Sequence, residues 1–127
     1  MIAGMGIDIC EVDRIQRAIA SSHGRRFKER VYTGLEIAYV ESKANKWERY
    51  AARFAAKEAG MKALGTGWSG GLGWQDLEVS NLASGRPTLR LYRKAAERAE
   101  RMGVVNIALS MTHTAQQAMA VVILESR

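Results

Sequence analysis

Residues 46 to 64 restrict the fold more than any other stretch. They form a run rich in Ala, Lys, Arg and Glu, opened by Asn45, where a cap is expected, and closed by Gly65. Alanine and straight-chain residues lose little freedom in a helix, and a glycine just past the end takes the left-handed turn that stops one. The run therefore predicts one helix of about 28 Å, around which the rest of a 127-residue chain must pack. Met1 to Ile9 is short, apolar and glycine-punctuated, and reads as a buried strand ending at Asp8. Asp13 is placed to cap a following helix with Ile15, Ala18 and Ile19 at helical spacing, ended by Ser21, Ser22 and Gly24. A further helical pattern runs from Thr33-Gly34 to about Lys43.

Beyond the long helix, residues 65 to 73 hold five glycines. Leu77, Val79 and Leu82 suggest a strand, with the last spacing off by one, and Gly85-Arg86-Pro87 turns the chain into Thr88 to Leu91. Tyr92 to Met102 reads as a helix ended by Gly103. Asn106 to Thr112 alternates as a strand, pairing through a turn at 114–117 with a last strand over Ala118 to Glu125. No repeat or linker divides the chain. The expectation is one α+β domain over residues 1–127, with a small, mostly antiparallel sheet packed on the long helix.

Hydrophobic residues at 47% and charged residues at 25% are ordinary for a globular protein and exclude disorder as the dominant state. No apolar stretch approaches the roughly 20 residues of a membrane span, and the start does not resemble a signal peptide. A single cysteine, Cys10, cannot form an internal disulfide, which suits a reducing, cytoplasmic setting. The net charge of +6 is regional: residues 14 to 53 carry ten Lys or Arg against four acids, and the remainder is balanced. Such a field favours an anionic partner, whether nucleic acid, a phosphorylated ligand or an acidic protein; a solvated helix surface is the plain alternative.

The chemistry-bearing residues are few. The glycine run is not a P-loop, since no Gly-Lys-Ser/Thr follows it and it leaves a helix rather than entering one. Glu58 and Lys62 lie at i and i+4, the spacing of a common surface ion pair, and Arg53 and Lys57 repeat it on a neighbouring face. Asp8 at a strand end is either a helix-entry cap or a ligand. If Asp8 and Glu58 converge, two carboxylates with open positions make a hard-cation site of the Mg²⁺ type. Neither histidine has a second His or a Cys at zinc-ligand spacing. Composition leaves a Ser-His-Asp triad open around His113, but no Gly-x-Ser-x-Gly elbow exists.

Four stretches together resemble the 4′-phosphopantetheinyl transferases, most closely their short bacterial branch. They are Gly6-Ile7-Asp8-Ile9-Cys10-Glu11-Val12-Asp13-Arg14-Ile15; Arg53-Phe54-Ala55-Ala56-Lys57-Glu58-Ala59 with Lys62 and Gly65-Thr66-Gly67; Trp74-Gln75-Asp76-Leu77-Glu78-Val79 with Gly85-Arg86-Pro87; and Ser110-Met111-Thr112-His113-Thr114. Order and spacing fit over essentially the whole chain. The resemblance implies transfer of the phosphopantetheine arm of coenzyme A to a serine of apo-acyl carrier protein, releasing adenosine 3′,5′-bisphosphate, as in fatty acid biosynthesis.

It also implies roles. Asp8 and Glu58 match Mg²⁺ ligands, and Lys62 matches a lysine near the reacting phosphate. Glu58, a metal-bound water and Lys62 are all conceivable acceptors of the serine proton. Arg53, His113 and one of Lys43 or Lys46 match contacts to the nucleotide's phosphates, and Gly85, Arg86 and Pro87 match a turn against the adenine. Arg14 and Arg17, flanked by Arg25, Arg26 and Lys28, would face an acidic carrier protein. The family's short members imply a homotrimer with sites between subunits. Cys10 stands where an aliphatic residue is usual, and Gly60 replaces a larger residue, which puts local packing and the width of the pantetheine channel in question. The rival reading is a small nucleic-acid-binding module. Against it, residues 14 to 53 offer few aromatics for stacking and no reader motif.

Overall fold

A computed structural model describes residues 1–65 and 71–127. In chain order it contains β1 (Ile2–Glu11), α1 (Val12–Ala20), α2 (Gly24–Val31), α3 (Gly34–Glu41) and α4 (Lys46–Leu64). A 3₁₀ turn at Trp74–Asp76 leads into β2 (Leu77–Asn81), β3 (Pro87–Leu91), α5 (Arg93–Arg101), β4 (Val104–His113) and β5 (Gln117–Ser126). β1, β5 and β4 form an antiparallel sheet in that spatial order, and β2 and β3 form a separate antiparallel hairpin. The α+β class and the antiparallel pairing agree with the sequence. Among the described residues no helix is long and apolar enough to cross a membrane.

The long helix α4 is the hub. Thirteen of its nineteen residues are buried, and Gly65 closes it at φ +74°. Its alanine-rich surface lets β1 lie directly on the helix backbone. An added Cβ at Gly4 would stand 2.1 Å from the Ala63 carbonyl oxygen, and one at Gly6 would stand 2.0 Å from that of Ala59. Gly4, Gly6, Asp8 and Cys10 share this inner face because strand side chains alternate. Burial of β1 is therefore one-sided, which corrects the reading of a buried strand: Gly6 and Cys10 are covered, whereas Met5, Ile7 and Ile9 are 60%, 53% and 51% exposed. The strand also continues past Asp8 to Glu11.

Other differences have local causes. Asp13 does not cap α1; it lies inside the first turn and pairs with Arg17 at 3.1 Å. Residues given no element by the sequence pattern form α2, whose first residue, Gly24, is forced by the chain doubling back on α1: a Cβ there would meet the Ile19 carbonyl oxygen at 1.5 Å. Asn45 precedes α4 but makes no cap; its amide oxygen accepts from Arg49 Nε at 2.8 Å. Leu82 falls outside β2, in line with its irregular spacing. Gly60 has a packing reason, since a Cβ there would meet the Leu77 and Leu89 methyls at 2.7 and 2.9 Å. The hairpin packs where the larger side chain would be.

A buried polar cluster fixes how α4 is rotated. Lys57 Nζ lies 2.7 Å from Glu36 Oε1, both fully buried, and donates to the carbonyls of Trp74 and Leu77. Glu36 accepts from the Val79 amide at 2.8 Å and completes a capping box with Thr33 at the start of α3. Thr33 and Tyr92 donate to the two oxygens of Glu78. Burial pushes the Lys57 ammonium below its ordinary value against the pull of Glu36. Lys57 therefore does not join Arg53 on a cationic face, as its spacing suggested; it points into the core.

Candidate active site

With Lys57 turned inward, the next residue, Glu58, emerges at the edge of the helix beside β1. Asp8 meets it from the strand, held at that height by the close contact of Gly4 and Gly6 with α4. The two carboxyls lie close enough for Asp8 to act directly on Glu58. Burial first, then the Asp8 charge and hydrogen bond, raise the Glu58 carboxyl above its ordinary value; Arg14 and Lys62 oppose the shift. Lys62 does not form the i,i+4 pair with Glu58. It reaches across to β1, donating to Asp8 Oδ1 at 2.8 Å and to the Ile7 carbonyl at 3.2 Å. The hydrogen bond and charge of Asp8 hold its ammonium above the ordinary lysine value. Asp8, Glu58 and Lys62 are thus brought together from segments fifty residues apart.

Two neighbouring carboxyls, one of them raised above its ordinary value partly by the charge of the other, fit a divalent cation that would relieve the repulsion. Among the described residues no third His, Cys, Asp or Glu joins them. A hard cation at Asp8 and Glu58 would therefore take its remaining ligands from water or phosphate oxygens. Arg14 stands close by, its guanidinium 5.6 Å above the ring of Phe54, one helical turn before Glu58.

A second cluster lies toward the start of α4. Tyr39 carries Arg53 at 4.7 Å, Lys43 at 4.9 Å and Arg49 at 5.8 Å from its ring centre, and Arg49 also donates to its hydroxyl. Among the described residues none of these cations has a carboxylate partner within 4 Å, and the buried Nε of Arg53 has no hydrogen bond. Three cations around one ring without a counter-ion make a site for an anion. Arg53 touches Asn81, whose amide donates to the Gly85 carbonyl, so the turn at Gly85, Arg86 and Pro87 is tied to the same cluster. Gly85 adopts φ +90° there.

The remaining candidates are more dispersed. Lys46 and Lys28 both pair with Glu41, at 3.4 and 3.5 Å, which leaves each with less free charge than its sequence position implied. His113, the last residue of β4, pairs with Glu48 at 3.3 Å. Arg17 is bound to Asp13 and Arg25 to Glu29 on exposed helix faces, while Arg26 lines a surface cavity of about 500 Å³ with Ser22, His23 and Arg30. Thr66 and Gly67, which carry part of the resemblance, lie outside the described residues. Sequence reading missed Tyr39, Glu48, Arg49 and Asn81. Only Arg49 left a signal, since it repeats the i,i+4 spacing to Arg53 without an acid between them.

The sheet register places Asp8 and His113 on one surface. Asp8 and Met111 flank Ala120, and Cys10 and His113 flank Ala118, so Asp8 and His113 share the inner face two strands and two residues apart. That is about 12 Å between Cα positions at ordinary sheet spacings. That span separates the paired-carboxyl centre from His113.

Paired carboxyls beside a lysine, with a separate group of cations lacking carboxylate partners among the described residues, suit phosphate chemistry on an α+β scaffold, and the chain belongs to the 4′-phosphopantetheinyl transferase superfamily, whose sequence profile matches residues 4–122. Among similar proteins is a holo-[acyl-carrier-protein] synthase of Solibacter usitatus, 65% identical over 126 residues that span 99% of this chain and 100% of the relative. The holo-[acyl-carrier-protein] synthase of Neisseria meningitidis superposes with a TM-score of 0.89 at 31% identity, covering 99% and 100% of the two chains. That of Bacillus anthracis, crystallised in complex with CoA (3′,5′-ADP), gives 0.80 at 35% identity, covering 100% and 99%.

Proposed function

We infer that this chain is a holo-[acyl-carrier-protein] synthase, one transferase domain over residues 1–127 that moves the phosphopantetheine arm of coenzyme A onto a serine of apo-acyl carrier protein. The observation that carries the reading is the meeting of Asp8, Glu58 and Lys62 across β1 and α4. In the reaction the serine oxygen bonds to the phosphorus that bears the pantetheine, the phosphoanhydride bond breaks, and adenosine 3′,5′-bisphosphate leaves. Asp8 and Glu58 would hold Mg²⁺, which supplies charge neutralisation on the pyrophosphate oxygens. Lys62, kept charged by Asp8, stabilises charge near the transferred phosphate; its raised ammonium value makes it a poor proton acceptor. Glu58, whose carboxyl is raised by burial and by Asp8, is the protein group proposed to accept the serine proton.

Arg53 and Lys43 on Tyr39, together with Lys46 and His113, would bind the nucleotide's phosphates, with the Gly85, Arg86 and Pro87 turn against its base. Arg14 and Arg17, with Arg25, Arg26 and Lys28 on α2, would meet an acidic carrier protein. The exposed apolar outer face of β1, formed by Met5, Ile7 and Ile9, supports a homotrimer with shared sites. Family membership displaces the nucleic-acid reading. The test is incubation with coenzyme A, Mg²⁺ and an apo carrier protein, followed by intact mass. The carrier should gain the arm, and Asp8→Ala or Glu58→Ala should abolish the gain while the fold persists. Full transfer by either variant overturns the metal assignment, and no gain with the native chain overturns the function.

A further inference from the structure

Four polar side chains link the start of α4 to the end of β4. Arg49 Nε donates to Asn45 Oδ1 at 2.8 Å, Asn45 Nδ2 donates to Glu48 Oε2 at 3.5 Å, and Glu48 Oε2 lies 3.3 Å from His113 Nδ1. Both His113 and Glu48 are partly exposed, at 35% and 29%, so one edge of the ring faces solvent. A carboxylate placed beside a ring of cations that awaits a phosphate would repel that phosphate. Its placement makes sense only if its charge is spent on the imidazole.

Resting on the proposed coenzyme A reading, we propose that Glu48 is a positioning residue that holds His113 so that Nδ1–H points at Glu48 and Nε2–H donates to a phosphate oxygen of the nucleotide. An imidazole with Nδ1 pinned as donor presents Nε2 outward, and only the doubly protonated ring can donate at both nitrogens. Asn45 holds the carboxylate through its amide, and Arg49, itself on the Tyr39 ring, holds Asn45 in turn. Other elements offer the ring little charge. Opposite it on β5 is Ala118, and beyond that on β1 is Cys10, whose thiol burial pushes up to about 11 and keeps neutral. Glu48 is the one charged side chain paired with the ring among the described residues.

The experiment measures binding of adenosine 3′,5′-bisphosphate by calorimetry across pH 5.5–8.5, with initial transfer rates in parallel. Loss of the outer group that orients a histidine ligand typically weakens binding by about tenfold or more. Glu48→Gln should therefore raise the bisphosphate Kd and the KM for coenzyme A by about tenfold, with kcat within about twofold. Binding should be tighter at the acid end of this range, because only the doubly protonated ring donates at both nitrogens. Glu48→Asp should recover most of the affinity. In a His113→Ala background, Glu48→Gln should have no further effect, since the two act as one unit. Unchanged Kd in Glu48→Gln, or full additivity with His113→Ala, overturns the proposal. If His113→Ala alone leaves the Kd unchanged while the native chain still transfers the arm, His113 does not bind phosphate and the proposal falls with that assignment. Failure of the native chain to bind the bisphosphate instead overturns the coenzyme A reading itself.

Discussion

Replacing Gly6 with alanine probes how a strand sets the height of a carboxylate in the proposed site. The new Cβ would stand 2.0 Å from the Ala59 carbonyl oxygen, 2.9 Å from the Ala59 carbonyl carbon and 2.9 Å from the Ala63 nitrogen. All three are backbone atoms of α4, so no side chain can swing aside. Restoring an ordinary contact requires β1 to retreat from the helix by more than about 1 Å. Overpacking costs about 1–3 kcal/mol where neighbours can give way, and this site should lie at or above the upper end. Asp8 is two residues along on the same face, 2.8 Å from Lys62 and beside Glu58, so it moves with the strand. A 1 Å misplacement of aligned reacting groups costs on the order of 10²-fold in rate, or about 2.7 kcal/mol in barrier. The assay is the initial rate of carrier mass gain at saturating coenzyme A, alongside urea denaturation. Gly34→Ala serves as control, because nothing lies within 4 Å of its Cβ at the start of α3; it should be neutral or slightly stabilising. Native stability and native rate in Gly6→Ala would refute the reasoning.

Three further outcomes follow from buried or paired groups. Lys57→Met leaves Glu36 as an unpaired buried charge and should destabilise the fold by about 3–5 kcal/mol, measured by urea denaturation at neutral pH; a loss under about 1 kcal/mol would show that the pair does not hold α3 and the hairpin to α4. Glu58, raised in the folded chain, contributes stability that is full at low pH and is lost as pH rises through its folded value. Glu58→Gln should therefore melt higher than the native chain at neutral pH without divalent cations, while transfer falls to background; a lower melting temperature would contradict mutual repulsion at the pair. Cys10 is 2% exposed and its thiol is pushed up to about 11, chiefly by burial, so maleimide should label it slowly in the native protein and rapidly in denaturant. Fast native labelling would contradict its packing beneath β1.

Much of the architecture follows from local chemistry. The alanine-rich run with Gly65 at its end could only be a helix, and the alternation over residues 106 to 112 could only face one side of a sheet. Thr33 and Glu36 form the capping box that starts α3. The failures are instructive in kind. Asp13 looked like a cap because its residue type suits one, yet the strand ran on to Glu11 and moved the helix start. α2 was hidden because Gly24 ordinarily ends a helix, whereas here it admits a close turn against Ile19.

At the site, the sequence by itself determined which chemistry was available: two carboxylates, a lysine one turn beyond the second, and a regional excess of cations. It also carried the family resemblance, since Gly-x-Asp and Lys-Glu-x-x-x-Lys are contiguous and survive as strings. What each charge faces was decided only by tertiary structure. Periodicity put Lys57 with Arg53 and Lys62 with Glu58, but burial turned Lys57 onto Glu36, and β1 drew Lys62 onto Asp8. Tyr39, Glu48 and Asn81 gained their places only because α3, α4 and the hairpin meet. Helical spacing fixes neighbours within one element. The partners across elements depend on how closely backbones approach, and here that distance was set by the missing side chains of Gly4 and Gly6.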